Sequence, residues 1–188
     1  MVCGRLLTAL LPTINMVAGN TWTQLSPSGT NPSGRSAHTV VWDPMSQGFY
    51  MFGGRLADTS RTNEHYFYDA SSDAWSMKST VSGPSLRHRH SAVLDPATQV
   101  IYVFGGTSRL GNCCSGSDPG AAFADLYAYN IAADTWAQLS TAPATARKMH
   151  SAVWDSNLER MIVYSGMADD PTYLSDLLEY YPGTDSWS

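Results

Sequence analysis

The residues best equipped for chemistry are crowded into Arg87-His-Arg-His90, which sets two imidazoles and two guanidiniums in four consecutive positions. Such a run could ligate a metal or meet an anion. A metal site needs three or four ligands of suitable type, and no nearby cluster of His, Cys or carboxylate completes one here, so no metal is assigned. The anion reading must be set against a formal charge of −5, from 11 Lys+Arg and 16 Asp+Glu. That balance argues against binding nucleic acid or an anionic membrane by releasing counterions. The adjacent Cys113 and Cys114 could serve as redox or soft-metal contacts. Neighbouring cysteines pair only through a strained ring, and three cysteines make no disulfide framework in 188 residues. A reducing compartment, hence the cytoplasm, is therefore expected, with secretion as the alternative. His65 and His88 recur nowhere else in the pattern described below and read as incidental. No catalytic residue and no cofactor is nominated.

The elements that hold these residues emerge from self-similarity. Arg35-Ser-Ala-His38, Arg87-His-Arg-His90 and Arg147-Lys-Met-His150 are one position visited three times, the histidines recurring after 52 and then 60 residues. Each histidine is followed by Asp five places on (Asp43, Asp95, Asp155). A glycine comes sixteen places on, closing Gly53-Gly54, Gly105-Gly106 and Ser165-Gly166. Beyond these lie YDASSDAW, YNIAADTW and YYPGTDSW, each with Tyr seven and Asp two places before the Trp. Tyr68, Tyr129 and, from the third copy's pair, Tyr181 are assigned as framework tyrosines, ahead of Trp75, Trp136 and Trp187. Within RHRH, then, Arg87 and His90 are framework, each histidine being expected to hydrogen-bond the backbone of a neighbouring turn.

HTVVWD, HSAVLD and HSAVWD are short apolar runs leading into Asp-containing turns. GFYMFGG, VIYVFGG and RMIVYSG are nearly continuous apolar strands, as expected where both faces are covered. Their closing glycines predict a positive φ or a close backbone approach. A third strand and a fourth, opening at each Trp, complete the unit. Asn20-Thr-Trp-Thr-Gln-Leu25 has the form of a fourth strand and predicts the end of an earlier unit, with residues 1–19 as a lead-in only loosely like a secretory signal.

Four strands repeating at about 50 residues, with a double glycine after the second and Tyr and Trp at set distances beyond, resemble the kelch motif of β-propellers. Trp42-Asp43 and Trp154-Asp155 are not WD repeats, since the second copy has Leu94-Asp95 and the dipeptide ends a first strand. The resemblance implies an all-β fold of four-stranded antiparallel blades over residues 35–86, 87–146 and 147–188, preceded at 20–34 by one leading strand and linker. Three full blades make an incomplete ring, so self-association or additional blades are expected to close it. The resemblance further implies a protein-interaction module or scaffold; the alternative is a fragment of a galactose-oxidase-like or sugar-modifying enzyme, or a secreted carbohydrate-binding propeller.

Loop lengths locate the expected contact face. From His to Gly and from Tyr to Trp the distances are constant, whereas from Gly to Trp they are 21, 30 and 21 and from Trp to the next Arg 13, 12 and 11. The variable loops join strands two to three and four to one, which emerge on the same side of an up-and-down sheet, and variation on one side marks a binding face. Its candidates are Arg55, Arg61 and Asn63 from the first copy. The second copy's insertion adds Arg109, Asn112, Cys113, Cys114 and Asp118, and the third copy adds Asp169, Asp170 and Tyr173. The expected partner is a protein.

Overall fold

The computed structural model describes residues 22–109, 121–169 and 172–188. The lead-in at 1–19 and the candidates Asn112, Cys113, Cys114, Asp118 and Asp170 lie outside them. Regular structure among the described residues is entirely strand. Two short strands, β1 (Ser28–Gly29) and β2 (Arg35–Ser36), precede the first blade, whose own strands are β3 (Thr39–Asp43), β4 (Gly48–Phe52), β6 (His65–Asp69) and β7 (Ala74–Met77). The two-residue β5 (Arg55–Leu56) lies between β4 and β6 and pairs with β2. The second blade comprises β8 (Ser91–Asp95), β9 (Val100–Phe104), β10 (Leu126–Asn130) and β11 (Thr135–Gln138). The third comprises β12 (Ser151–Asp155), β13 (Arg160–Tyr164), β14 (Leu177–Tyr181) and β15 (Ser186–Trp187). Each is a four-stranded antiparallel meander, with β1 added in parallel to the outer edge of β7, and the described sheets form no closed ring. Of the Asn20–Leu25 stretch, the described residues Trp22–Leu25 carry no strand, and Trp22 is fully exposed.

Local chemistry explains the equal hairpins. In the first turns the Asp43, Asp95 and Asp155 carboxylates accept backbone N–H groups from Met45, Ala97 and Asn157, the usual capacity of Asp to close its own turn. The turns end on Gln47, Gln99 and Glu159 at φ 52, 56 and 50°. In the second turns, the Tyr68, Tyr129 and Tyr180 hydroxyls donate to Asp73, Asp134 and Asp185 at 2.7, 2.7 and 2.8 Å. The third framework tyrosine is therefore Tyr180. Tyr181, assigned from the sequence, points to the other face and donates to Glu179, as the alternation of a strand requires.

Blades stack through two apolar clusters. Tyr50 and Phe52 of the first blade meet Ile101, Val103, Tyr129 and Trp136 of the second. Val93, Tyr102, Phe104 and Leu126 of the second meet Met161, Val163 and Tyr180 of the third. Trp154 stacks on Tyr102 with ring planes 10° apart. Buried Trp136 and half-buried Trp187 also have polar partners across the junctions: the Trp136 indole donates to Ser79 O and that of Trp187 to Ser140 O, at 2.8 and 3.0 Å.

The repeated histidine is a junction residue too, which corrects the expectation of a bond to a turn backbone. His90 Nε2 meets Thr39 Oγ1 and His150 Nε2 meets Ser91 Oγ, both at 2.8 Å. The hydroxyl belongs to the first strand of the preceding blade. The double glycines make room for this approach. Gly54 N and Gly106 N donate to the Arg87 and Arg147 carbonyls at 2.8 Å. A Cβ on Gly53 or Gly105, both at positive φ, would lie 2.7 or 2.8 Å from those same oxygens, where any side chain must force a shift.

Candidate interaction face

The framework arginines anchor the loops. Arg87 has a fully buried side chain and grips Asp125 with both terminal nitrogens, at 2.6 and 2.9 Å, while donating to Gly105 O. Arg147 does the same with Asp176 at 2.7 Å and with Ser165 O. Arg35 uses Glu64 and Gly53 O. A planar guanidinium suits this two-point grip on a carboxylate. The acids stand immediately before β6, β10 and β14, a repeat position that sequence reasoning missed. The signal was available, since Glu64, Asp125 and Asp176 follow their arginines by 29, 38 and 29 residues, the pattern of the glycine-to-Trp distances.

The loops joining strands two to three and four to one come out together: Arg87 N donates to Thr62 O and Arg147 N to Phe123 O, each joining a four-to-one loop to a two-to-three loop. The equal hairpins meet on the opposite side, with Ala70 N bonded to Gln47 O and Ile131 N to Gln99 O. At the inner end of the loop side, the residue before each framework histidine turns at positive φ (Ala37 55°, Arg89 60°, Met149 60°). These residues form a ladder across the blades, Arg89 N to Ala37 O and Met149 N to Arg89 O, both at 2.9 Å.

The structure divides the sequence candidates into two groups. Arg55 and Asn63 are half-buried, and Arg61 is buried and donates to Thr59 O. An open groove of about 260 Å³ is lined by Gly34, Arg35, Ser36, Arg55, Leu56 and Ala57. On the third-blade side, Asp169 receives Lys148 Nζ at 3.0 Å, Arg109 Nε at 3.4 Å and Ala122 N at 2.7 Å. Burial pushes the Asp169 carboxyl up, but the Ala122 amide and the Lys148 ammonium outweigh it and hold it below the ordinary range. Tyr173 is 82% exposed. Sequence reasoning omitted Arg89 and Lys148, which only the three-dimensional stacking brings onto this face.

His88 stands among the cations. Its Nδ1 lies 2.9 Å from Thr107 O, so that nitrogen carries the proton. Burial first, and then the charges of Arg61, Arg89 and Arg55, hold its pKa down to about 4, leaving a neutral imidazole within a positive field. Among the described residues, the Arg55 and Arg89 guanidiniums have no hydrogen-bond or ion-pair partner, and no group of three or more His, Cys, Asp or Glu is placed to hold a metal.

The family model for the KLHDC2/KLHL20/DRC7 Kelch-repeats domain matches residues 11–188. The chain belongs to this kelch family. Its kelch relatives include the human Kelch domain-containing protein 1, 27% identical over 152 residues, which are 80% of this chain and 34% of that protein. A similar match, N-(sulfonatooxy)prop-2-enimidothioate sulfolyase of Thlaspi arvense, is 32% identical over 123 residues, 64% of this chain and 33% of that one. Mei4-dependent protein 6 of Schizosaccharomyces pombe is 28% identical over 109 residues, 57% of this chain and 15% of that protein. The chain thus spans about a third or less of these relatives. Kelch repeat domains are in general protein-interaction modules, and this chain carries that domain.

Proposed function

We propose that this kelch domain binds a partner protein through its loop-bearing face, and that the bound element is an acidic segment. The observation that carries the reading is the concentration of Arg55, Arg61 and Arg89 around His88 in a chain whose overall charge is −5. Cations gathered on one face of an acidic protein focus a local field that the net charge hides. Arg55 lines an open groove, so a carboxylate side chain has both access and a two-pronged donor. The net negative charge disfavours a long polyphosphate ligand, whose charge would be repelled along the rest of the surface. A short run of Asp or Glu is a better match.

The test is fluorescence anisotropy with labelled eight-residue peptides that are acidic, neutral or basic. The acidic peptide should bind, with affinity falling as salt is raised. Replacing Arg55 or Arg89 by Ala should weaken it by about tenfold each, the scale of one charge-assisted contact. Equal binding of all three peptides, or an unchanged double variant, would sink the reading.

A further inference from the structure

His88 fills a position that recurs in every blade, directly after the framework arginine, where the first blade has Ser36 and the third Lys148. Each opens a short ladder of backbone-paired residues whose middle member follows the second glycine: Ser36, Arg55 and Arg61; His88, Thr107 and Ala122; Lys148, Met167 and Tyr173. His88 is covered on both sides by the chain itself. Its backbone exchanges two hydrogen bonds with Thr107, at 3.1 and 3.0 Å. On the other side Gly54 N donates to Arg87 O and Arg87 N to Thr62 O, at 2.8 and 3.2 Å, which sets both ends of the loop from Arg55 to Arg61 against the segment carrying His88. The residue is 2% exposed as a result.

The charges acting on the imidazole are cationic: Arg61 and Arg55 from the first-blade loop and Arg89 from its own segment. The second blade's Thr107 and Ala122 carry no charge, and His90, two residues on, is a buried ring held neutral. Asp169 of the third blade, whose carboxylate accepts Ala122 N, is already engaged by Lys148 and Arg109. Since Nδ1 donates to Thr107 O at 2.9 Å, Nε2 of the neutral ring is a lone pair. Among the described residues Nε2 has no hydrogen-bond partner, and it is not one of the unpartnered polar atoms sealed from solvent, so an incoming ligand can reach it. A carboxylate brought among these guanidiniums meets that lone pair with lone pairs of its own. Two acceptors cannot hydrogen-bond, whereas a proton on Nε2 makes the ring a donor at both nitrogens. Each guanidinium that engages the carboxylate also stops opposing a positive charge on His88, and the carboxylate itself favours one.

We propose, on the acidic-segment reading above, that His88 is a binding residue of this face: a carboxylate of the bound segment enters together with one solvent proton, which rests on His88 Nε2 and is donated to the carboxylate as a hydrogen bond. The sign of the resulting pH dependence follows. The free chain keeps His88 neutral down to about 4, and the complex, with its cations answered and a carboxylate at Nε2, holds the proton at higher pH. Between those limits the complex carries one proton more than its separated parts, so affinity rises as pH falls. The ligand's own carboxylates protonate at about 4, which leaves the range from about pH 7.5 to 5.5 as one in which the ligand stays charged.

Anisotropy titrations with the acidic eight-residue peptide, made without histidine and run at fixed ionic strength, should give a dissociation constant at least about threefold lower at pH 5.5 than at pH 7.5. Calorimetric titration at about pH 6 in two buffers of different ionisation enthalpy should show net proton uptake, approaching one per peptide bound. His88→Asn places an amide N–H where Nδ1 donates to Thr107 O, but takes no proton in this range. With an unchanged near-ultraviolet spectrum, it should flatten the pH dependence and abolish the uptake. Should that variant fail to fold, the imidazole nitrogen resonances of the native chain, recorded with and without peptide, report whether His88 takes the proton. Peptide binding without proton uptake, a pH dependence that His88→Asn retains, or a His88 ring that stays neutral in the complex would overturn the inference and leave the acidic-segment reading standing. No binding of the acidic peptide at either pH would remove both.

Discussion

Arg87 shows how one side chain ties a blade together: no part of it is exposed, and its charge is answered by Asp125, itself 19% exposed. Removing one partner of a buried pair strands the other charge, so Asp125→Ala should cost about 3 kcal/mol in chemical denaturation. Asp176 is 42% exposed beside an equally buried Arg147, so water screens that pair more strongly and Asp176→Ala should cost less. The histidines make stability pH-dependent. Burial holds His65 and His150 down to about 4 and places His90 well below its ordinary value of 6.5. The folded chain keeps them neutral while the unfolded chain protonates them from about 6.5 downward, so the unfolded state binds more protons and gains on acidification. The melting temperature should therefore fall as pH drops from about 6.5 towards 4, with little further loss from His65 and His150 below that. His150→Gln should flatten the slope in calorimetry across that window.

At the scale of elements, the blade junction is the unit that matters, because each sheet is covered by its neighbours. Trp136, 6% exposed, packs on Phe52 and Tyr129 and donates across the junction. Trp136→Ala should cost about 3 to 5 kcal/mol, the range for a large buried aromatic. Gly105→Ala tests backbone approach rather than burial: the residue sits at φ 63° and its Cβ would press on Arg147 O. A cost of about 2 kcal/mol or more in urea denaturation is expected, from strain and displacement together. Neither residue was singled out by composition. Both were visible as repeats, because a position recurring at fixed spacing reflects a contact made again at every junction.

For the molecule as a whole, the middle blade supplies residues to both apolar clusters, so it couples the other two. In such arrays stability is close to a sum over units and nearest-neighbour contacts. Phe104→Ala, at a fully buried position in the second junction, should lower the whole transition by about 3 to 5 kcal/mol. The far face departs most from sequence expectation. The repeats read as apolar on both sides, and the structure shows Arg160 paired with Asp155 and Glu179 on the third blade instead.

The amino-acid sequence alone determined the four-stranded unit, its three copies and the equal hairpins, because those depend on residues within a few positions of one another: an Asp closing its own turn, a Tyr reaching an Asp five residues on. The tertiary structure decided what each framework residue touches. His90 and Thr39 are 51 residues apart in sequence, and Arg87 and Asp125 are 38 apart. No local pattern specifies such partners; they are fixed only when neighbouring sheets stack and leave a single hydroxyl or carboxylate within reach. The cations around His88 become one field for the same reason, since Arg55 and Arg61 come from one loop and Arg89 from another, 28 or more residues away in sequence.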